Sequence, residues 1–266
     1  MQYSIHGSQT KQIGIDLVVN NVAIKPEKLS TGSKAMDALL HGGLPYGSLT
    51  DVFGPAGSGK SQLAFQISMM TALGEIRNKP LPEDTQRTND MSVAFVDCAG
   101  SFRPERIAEI ANARGLWNER TEILQRIYSI RTRNKGDQVK ACGSVLFDER
   151  FRRTRLLIVD DVTANFVTAS GSSSSEIIQR QQEISLYVRN LAFISVSKRI
   201  PVFVTNTVRF RDELRKDMET IGDLLSMHSF LKVRLSKRGR ERTAVVEQPY
   251  INENRITFEI NAEGIN

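Results

Sequence analysis

The sequence predicts an α/β fold with a twisted, mostly parallel β-sheet and helices on both of its faces. Strand-like and helix-like patterns alternate along most of the 266 residues, as expected for parallel strands that are joined by helices. A short apolar strand also leads directly into a glycine-rich loop that opens a helix. Proteins of this fold class use such a unit to bind phosphate.

Residues 1–28 are mixed in composition and contain one strand-like run at 15–19. They are too few for a domain of usual size, so we predict an N-terminal extension over 1–28 and one core domain over 29–266. Ser33 is suited to cap the first helix of the core. The predicted elements of the first half are a helix at 34–40, a strand at 48–53, a helix from about 62 to 74, a strand at 92–97 and a helix at 104–114.

The second half continues the alternation of strands and helices. The glycine and serine tract at 171–175 predicts a flexible loop. The other predicted elements are strands at 127–130 and 155–160, a weak helix at 136–147, a long amphipathic helix at 176–196, a strand at 201–206, a charged segment to 219, and strands near 230–236, 243–246 and 256–260.

Composition restricts the classes of protein to consider. No apolar run approaches the roughly 18 residues that cross a bilayer, and the N-terminus lacks a signal-peptide core, so we expect no membrane partner and a cytoplasmic or nucleoid-associated protein. The two cysteines, Cys98 and Cys142, lack metal-binding spacing and are predicted to be reduced and structural. The net charge of +6 is compatible with nucleic-acid binding without proving it.

The stretch at 54–61 has the spacing G-x-x-x-x-G-K-S of a phosphate-binding P-loop. Its glycines let the backbone wrap an anion, and the following helix directs its positive dipole end at the same anion. In such a loop Lys60 supplies charge to the β- and γ-phosphates and acts in catalysis, and Ser61 supplies a hydroxyl to Mg²⁺. The predicted nucleotide-binding residues of this loop are Gly54, Pro55, Ala56, Gly57, Ser58, Gly59, Lys60, Ser61 and Gln62.

A second carboxylate-bearing strand is expected beside the P-loop. Four apolar residues lead into Asp160, which predicts that Asp160 belongs to the Mg²⁺ shell. Asp161 follows directly, and a second carboxylate there can orient the attacking water. We therefore predict a catalytic role for Asp161.

Several motifs occur in order along the chain. They are STGSKAMDALLHGGLPYGSLTDVFGPAGSGKSQ, VDCAGSFRPERIAEIA, LLIVDDVTANF, VFVTNTV, IGDLLSMHSFLKVRLSKRGR and FEINAEGI. With them the chain resembles the ATPase core of the RecA/RadA recombinase family, in its archaeal and eukaryotic branch. The resemblance implies a RecA-like P-loop ATPase core with ATP and Mg²⁺, a homo-oligomer with ATP at the interface, and a role in DNA recombination and repair.

The resemblance also assigns three residues outside the P-loop. Arg106, in FRPER, matches the arginine that lies against adenine, a role that suits a planar guanidinium. His228 matches a histidine near the γ-phosphate that reports nucleotide state to the DNA loops; without the motif it would be interpreted as a buried, satisfied histidine. Pro249 matches a proline that caps the ATP of an adjacent subunit.

Two departures from the family bear on catalysis. The family motif D-x-E-G carries a catalytic glutamate, but here the sequence is Asp97-Cys-Ala-Gly, so Ala99 replaces the general base. Thr207 occupies the position of a glutamine that couples the γ-phosphate to DNA. Loss of a positioned base commonly costs about 10² to 10⁴ in rate. We therefore predict slow hydrolysis with ATP binding preserved, and Asp161 as the residue that can substitute for the base.

A third departure concerns assembly. Family recombinases carry an N-terminal helical domain and an F-x-x-A hook before the core, which residues 1–28 do not supply. The F-x-x-A at 166–169 is interpreted as coincidence, because so short a pattern recurs easily. The chain is similar in this respect to archaeal RadB-type paralogs, which implies a full-length recombinase or another paralog as a partner.

Two segments correspond to the loops that hold DNA in the family. The first, at about 169–175, has no basic residue, whereas the second, at 209–219, surrounds one aromatic residue with cations. Cations and a ring suit single-stranded DNA; a solvated surface helix of mixed charge is the equally weighted alternative. The predicted DNA-binding residues are Arg209, Phe210, Arg211, Arg215 and Lys216. A denser basic cluster at 237–242 is expected to reach phosphate of DNA or of ATP.

Two functional hypotheses follow. The first is a recombinase paralog that binds ATP and single-stranded DNA, hydrolyses ATP slowly as a weak DNA-dependent ATPase, and modulates a full-length recombinase. The second is a non-catalytic, ATP-gated adaptor that binds a protein partner and not DNA. A circadian-clock-type ATPase of the same superfamily is a third interpretation, which FRPER and INAEG disfavour.

Overall fold

The computed structural model describes most of the chain. The described residues are 17–19, 22–24, 27–78, 92–166, 173–211, 216–219, 221–249 and 255–266. The predicted strand at 15–19 and the predicted loop at 171–175 lie only partly within them. The division into an N-terminal extension and one core domain stays a prediction.

Strands and helices alternate through the core, as predicted. The described strands are β1 (Leu17–Val19), β2 (Val22–Ile24), β3 (Lys28–Leu29), β4 (Leu44–Pro45), β5 (Leu49–Gly54), β6 (Val93–Asp97), β7 (Ile127–Arg131), β8 (Leu156–Asp160), β9 (Val202–Arg211), β10 (Lys216–Glu219), β11 (Leu231–Arg238), β12 (Glu241–Gln248), β13 (Arg255–Phe258), β14 (Ile260–Asn261) and β15 (Gly264–Ile265). The described helices are α1 (Lys34–Leu39), α2 (Lys60–Asn78), α3 (Pro104–Ala113), α4 (Arg120–Gln125), α5 (Lys135–Phe147), α6 (Ser174–Lys198) and α7 (Gly222–His228), with 3₁₀ turns at Glu149–Phe151 and Ala164–Phe166.

The main sheet has the strand order β13-β12-β11-β5-β9-β8-β6-β7, with β10 attached to β9. The strands from β11 to β7 in this order are parallel, and β12, β13 and β10 pair antiparallel. The prediction of a mostly parallel sheet is therefore confirmed. Because parallel strands end at the same edge, the last residues of β5, β6 and β8 come together there.

Helices cover both faces of the sheet, as predicted. One hydrophobic cluster joins the sheet to α1, α2, α3 and α4, and a second joins it to α5, α6 and α7. Strand β8 shows why both faces are apolar. Leu156 and Ile158 belong to the first cluster, and Leu157 and Val159 belong to the second, because successive side chains of a strand point to opposite faces.

The strand predicted at 201–206 is longer than expected, and the described residues of the charged segment that follows it form strands, so the alternative of a surface helix is wrong. Strand β9 continues to Arg211, and β10 pairs with it antiparallel, with Lys216 opposite Arg211 and Met218 opposite Arg209. The physical reason is the period of two at 207–211, where Val208 and Phe210 alternate with polar residues, a pattern typical of strands.

Two short helices, α4 and α7, are absent from the sequence-based prediction. Each has fewer than the roughly 12 residues that make an isolated helix stable in water, so periodicity alone does not reveal them. Burial stabilises both, because Ile123 of α4 and Leu225 of α7 are fully buried. Helix α6 also begins earlier than predicted, since Ser173 and Glu176 form a reciprocal capping box.

Buried side chains confirm two smaller predictions. Phe166, the first residue of the F-x-x-A pattern, is buried against Tyr187 with 5.1 Å between ring centroids, so it belongs to this chain's own core. Cys98 and Cys142 are free and buried, and burial raises the pKa of the Cys142 thiol to about 12.

Within the described ranges, no helix is both long enough and apolar enough to cross a bilayer.

Candidate nucleotide site

The P-loop connects the end of β5 to the start of α2, as the motif requires. Gly54 ends β5 with φ 154°, and a Cβ there would lie 2.1 Å from the carbonyl oxygen of Leu235 in β11. Gly57 and Gly59 have φ of 74° and 112°, which side chains rarely allow. The glycines therefore permit both the close approach to β11 and the turn into α2.

Lys60 lies at the centre of the loop. Its Nζ donates hydrogen bonds to the carbonyl oxygens of Gly54 at 2.7 Å and Pro55 at 3.0 Å. Burial lowers the pKa of the Lys60 ammonium, whereas the negative charges of Asp161 and Asp160 raise it. The structure thus brings together the lysine of the P-loop and the two carboxylates at the end of β8, as the sequence predicted.

The residues present fit a nucleotide polyphosphate with Mg²⁺. Within the described part of the chain, the hydroxyl of Ser58 is buried and has no hydrogen-bond partner, although buried polar groups in folded proteins are nearly always paired. The first turn of α2 adds backbone N–H groups that can donate to an anion. Lys60 and these N–H groups would hold phosphate, and Ser61 with Asp160 would hold the metal ion.

Hydroxyl groups surround both carboxylates at the end of β8, Asp160 in the strand and Asp161 directly after it. Asp160 accepts hydrogen bonds from Ser101 at 2.5 Å and from Thr205. Asp161 accepts from the hydroxyl of Thr163 at 2.7 Å, from the backbone N–H of Thr163 at 2.8 Å, and from Thr207. Thr207, the residue in the position of the family glutamine, therefore orients Asp161.

The loop after β6 carries the position of the missing base. Ala99 is exposed, and its N–H donates to the carbonyl oxygen of Asp160 at 3.3 Å. Asp97 accepts from the N–H groups of Gly100 at 2.7 Å and Ser101 at 2.9 Å, and its carboxylate pairs with Arg131 at 3.1 Å. The loop is thus held beside Asp160, but position 99 offers only a methyl group.

Sequence reasoning missed Ser101, Thr205 and Arg131 as parts of this site. Ser101 lies 59 positions before Asp160 in the chain and Thr205 lies 45 positions after it, so no local spacing joins them. The only signal for Ser101 and Thr205 was their position just after β6 and inside β9, the two strands that border β8 on either side. Pairing between strands, and not a motif, brings them to Asp160.

Arg106 of α3 is held at the mouth of the site. Its Nε donates to the side-chain oxygen of Gln62 at 2.8 Å, which ties it to the first turn of α2. Its Nη2 donates to the carbonyl oxygen of Asn261 at 2.5 Å, and its Nη1 pairs with Glu109 at 3.1 Å. The plane of the guanidinium is therefore fixed next to Gln62, another predicted nucleotide-binding residue.

The structure places His228 and Pro249 outside this hydrogen-bonded group. His228 is the last residue of α7, and none of the described side chains forms a hydrogen bond that links it to the P-loop. Pro249 is exposed and follows β12. Their predicted roles towards the nucleotide stay predictions.

The basic cluster at 237–242, where β11 turns into β12, lies against the P-loop of its own chain. Arg242 Nε donates to the carbonyl oxygen of Gly57 at 3.3 Å. A Cβ added at Gly57 would lie 3.5 Å from the Nζ of Lys237. Two of the cations expected to reach phosphate thus flank the apex of the loop.

The predicted DNA-binding residues lie on the paired strands β9 and β10 or outside the described residues. Arg209, Phe210 and Arg211 belong to β9 and Lys216 to β10, while Arg215 falls in the gap at 212–215. The backbone places the first three on the strand that also carries Thr205 and Thr207. The predicted DNA segment is therefore continuous with a strand of the nucleotide site.

Comparison with known proteins gives a consistent result. The profile of the Rad51 family matches residues 25–266. A protein named DNA repair and recombination protein RadA, from Metallosphaera sedula, is 32% identical over 246 residues, which are 90% of this chain and 72% of that protein. A structure described as a crystal structure of the RadB recombinase is 29% identical, with a TM-score of 0.67, and covers 89% of this chain and 98% of its own.

The family profile spans residues 25–266, a range that contains the P-loop, Asp160, Asp161 and the basic cluster at 237–242. The fold that the sequence predicted is also the fold of the RadB structure. The chain therefore belongs to the Rad51 family.

Proposed function

We propose that this chain is an ATP-binding recombinase paralog that acts in homologous recombination and DNA repair. It binds ATP with Mg²⁺, hydrolyses ATP slowly, contacts single-stranded DNA, and modulates a full-length recombinase or another paralog. Membership of the Rad51 family and the similarity to a DNA repair and recombination protein RadA support a role in recombination and repair. We also propose a homo-oligomer with ATP at the interface, where Pro249 caps the ATP of an adjacent subunit and His228 reports nucleotide state to the DNA loops. The proposed location is cytoplasmic or nucleoid-associated.

One observation carries the nucleotide assignment. Lys60, on the carbonyl oxygens of Gly54 and Pro55, lies within electrostatic reach of Asp160 and Asp161. A buried ammonium between a glycine-rich helix start and two carboxylates suits a triphosphate with its divalent ion. A Mg²⁺ ion held by Ser61 and Asp160 would supply positive charge against the phosphate oxygens.

The residues of the chain divide the remaining work. Backbone N–H groups of 57–61 and Lys60 bind the phosphates, Ser101 and Thr205 orient Asp160 for the metal ion, and Thr207 and Thr163 orient Asp161. Asp161 takes the proton of the attacking water. Because Ala99 supplies no base of its own, we propose turnover well below that of a family enzyme with the glutamate.

We expect Lys60→Ala to weaken ATP binding about 10- to 100-fold. The reason is the loss of one charge-assisted hydrogen bond, which contributes about 1.5 to 3 kcal/mol to binding. Isothermal titration calorimetry with a slowly hydrolysed ATP analogue measures the affinity. Lys140→Ala is a matched control, because Lys140 is an exposed lysine of α5. Equal affinity for wild type and Lys60→Ala would contradict the nucleotide site.

The DNA assignment is tested separately. We expect the affinity for single-stranded DNA to fall steeply as the salt concentration rises. Replacement of Arg209, Arg211 and Lys216 by glutamine is expected to reduce the slope of log K against log salt by about two, because each lost phosphate contact changes the slope by about 0.7. Fluorescence anisotropy with a labelled oligonucleotide measures both. A slope that does not change in the triple variant would contradict DNA contact by the paired strands β9 and β10.

A second function is supported by the site itself. Ala99 replaces the glutamate that the family uses for hydrolysis, and Thr207 replaces the glutamine that couples the γ-phosphate to DNA, while the P-loop is intact. This combination favours an ATP-gated adaptor that binds a protein partner and not DNA. Absence of both turnover and DNA binding, with ATP binding retained, would select the adaptor.

A further inference from the structure

Gln138 is a fully buried polar residue near the start of α5 that has no part in the site described above. Asn134 caps this helix, because its side-chain oxygen accepts a hydrogen bond from the N–H of Asp137 at 2.9 Å. Helix α5 starts shortly after β7, and so lies at the edge of the sheet where β6 and β8 also end. A fully buried amide needs hydrogen-bond partners for both its nitrogen and its oxygen.

Both ends of the Gln138 amide bond to one turn, residues 161–166, which directly follows β8. Its Nε2 donates to the carbonyl oxygen of Val162 at 2.9 Å. Its Oε1 accepts from the Nδ2 of Asn165 at 3.0 Å. A carbonyl oxygen can only accept, so the bond to Val162 fixes which end of the amide faces the start of the turn. One side chain of α5 thus holds the 161–166 turn near both of its ends.

A single peptide group connects Gln138 to the carboxylate of Asp161. The carbonyl of Val162 and the N–H of Thr163 belong to the same peptide group, which is planar. Gln138 holds the carbonyl end of this group, and the N–H end donates to the carboxylate of Asp161 at 2.8 Å. On the other side, the N–H of Val162 donates to the carbonyl oxygen of Thr205 in β9 at 2.9 Å. A change at Gln138 therefore turns the N–H that orients the carboxylate.

Other buried groups keep the Gln138 amide in place. Its Nε2 also donates to the hydroxyl of Tyr187 at 3.0 Å, and that hydroxyl lies 3.2 Å from the thiol of Cys142. Asn165 in turn donates to the hydroxyl of Thr132 at 2.9 Å. Burial raises the pKa of Tyr187 well above its usual value, so the hydroxyl is neutral. A buried network with its partners in place is rigid, so the amide has one fixed position.

We propose that Gln138 is a positioning residue for ATP hydrolysis, which directs the carboxylate of Asp161 at the attacking water through the 162–163 peptide group. This inference rests on the proposed function, in which Asp161 takes the proton of that water. It gives a residue of α5, distant from the P-loop in the chain, a part in the rate of hydrolysis and none in the binding of ATP. The alternative is that the Gln138 network only stabilises the fold.

Gln138→Met, which retains the length of the side chain and removes both bonds to the turn, is the main test. We expect the single-turnover rate to fall about 10- to 100-fold, because a displacement of a reacting group by about 1 Å has an effect of that size. ATP affinity, measured by calorimetry with a slowly hydrolysed analogue, is expected to be nearly unchanged. Asn165→Ala removes one of the two bonds at a half-buried position, and we expect a smaller decrease. It keeps the test decisive if Gln138→Met does not fold.

Val145→Ala is the matched control for lost stability. Val145 is fully buried in the same helix, and its side chain has no polar atom that could bond to the turn. We expect this variant to lower the melting temperature, since it leaves a cavity in the core, and to hydrolyse ATP at the wild-type rate. A rate that falls as much in Val145→Ala as in Gln138→Met would assign Gln138 to the fold alone.

A double-mutant cycle tests whether Gln138 acts through Asp161. In an Asp161→Asn background, Gln138→Met is expected to slow hydrolysis no further, because the group that it positions is already absent. Hydrogen exchange gives a readout that does not depend on turnover. We expect the backbone N–H groups of 161–166 to exchange faster in Gln138→Met than in Val145→Ala. Rate effects that multiply in the double variant, or equal exchange in the two single variants, would overturn the proposal.

The outcomes separate this inference from the proposed function. If wild type does not turn over ATP, or if Asp161→Asn does so at the wild-type rate, the role of Asp161 is wrong and the inference is wrong with it. If Asp161→Asn is slow while Gln138→Met and Asn165→Ala keep the wild-type rate, only the inference about Gln138 is wrong.

Discussion

Asp161→Asn is expected to lower the single-turnover rate of ATP hydrolysis about 10²- to 10⁴-fold and to leave ATP affinity nearly unchanged. The amide cannot accept the proton of the attacking water, whereas the phosphate contacts of Lys60 and of the loop backbone are retained. The carboxylate of Asp161 is oriented by Thr163 and Thr207, which is the arrangement that a positioned base requires. Rapid-quench measurement with excess protein over ATP gives the rate.

The complementary change is Ala99→Glu, which we expect to raise the hydrolysis rate. Position 99 is exposed and next to Asp160 through the backbone, so a glutamate side chain fits without displacing neighbours. Thr207→Ser retains the hydroxyl on Asp161 and is the matched control for Thr207→Val, which is expected to slow hydrolysis. If wild type turns over ATP and Asp161→Asn does so at the same rate, the role assigned to Asp161 is wrong. If wild type does not turn over and Ala99→Glu does, the chain is an ATP-gated partner.

Gly54→Ala is expected to destabilise the fold by about 2 to 5 kcal/mol, because overpacking and backbone strain add at one position. The new Cβ would lie 2.1 Å from the Leu235 carbonyl oxygen. This contact would join the new Cβ in β5 to the backbone of β11, the adjacent parallel strand of the sheet. Neither strand can shift without breaking its own hydrogen bonds. Because the atom that the Cβ meets is a backbone oxygen, no movement of a flexible side chain can relieve the clash.

Urea denaturation monitored by circular dichroism measures this loss of stability. Gly143→Ala is the control: Gly143 lies inside α5, and a Cβ there meets nothing within 4 Å, so alanine is expected to stabilise the protein by up to about 1 kcal/mol. A Gly54→Ala protein as stable as wild type would show that β11 does not constrain the P-loop. In that case, the ATP affinity of the Gly54→Ala protein measures how the alanine changes the geometry of the P-loop, without a contribution from lost stability.

The sequence by itself determined the parts whose signal is local. The P-loop follows from the spacing of Gly54, Gly59, Lys60 and Ser61, and β8 with Asp160 follows from a run of apolar residues ending in an acid. Both are short patterns in which the chemistry dictates residue type and spacing. The alternation of strands and helices likewise predicted the parallel sheet and the helices on both faces, because periodicity reports which side chains must be buried.

Tertiary structure alone decided which distant residues share the site. Ser101, Thr205 and Thr207 reach the two carboxylates because β6, β8 and β9 are neighbours in the sheet, and strand order is not encoded in any local pattern. The same holds for Arg242, which returns to Gly57 from 185 positions away. Short helices such as α4 form only where the core buries them. Local physics thus specifies elements and motifs, whereas the pairing of strands and the choice of buried face arise from the whole fold.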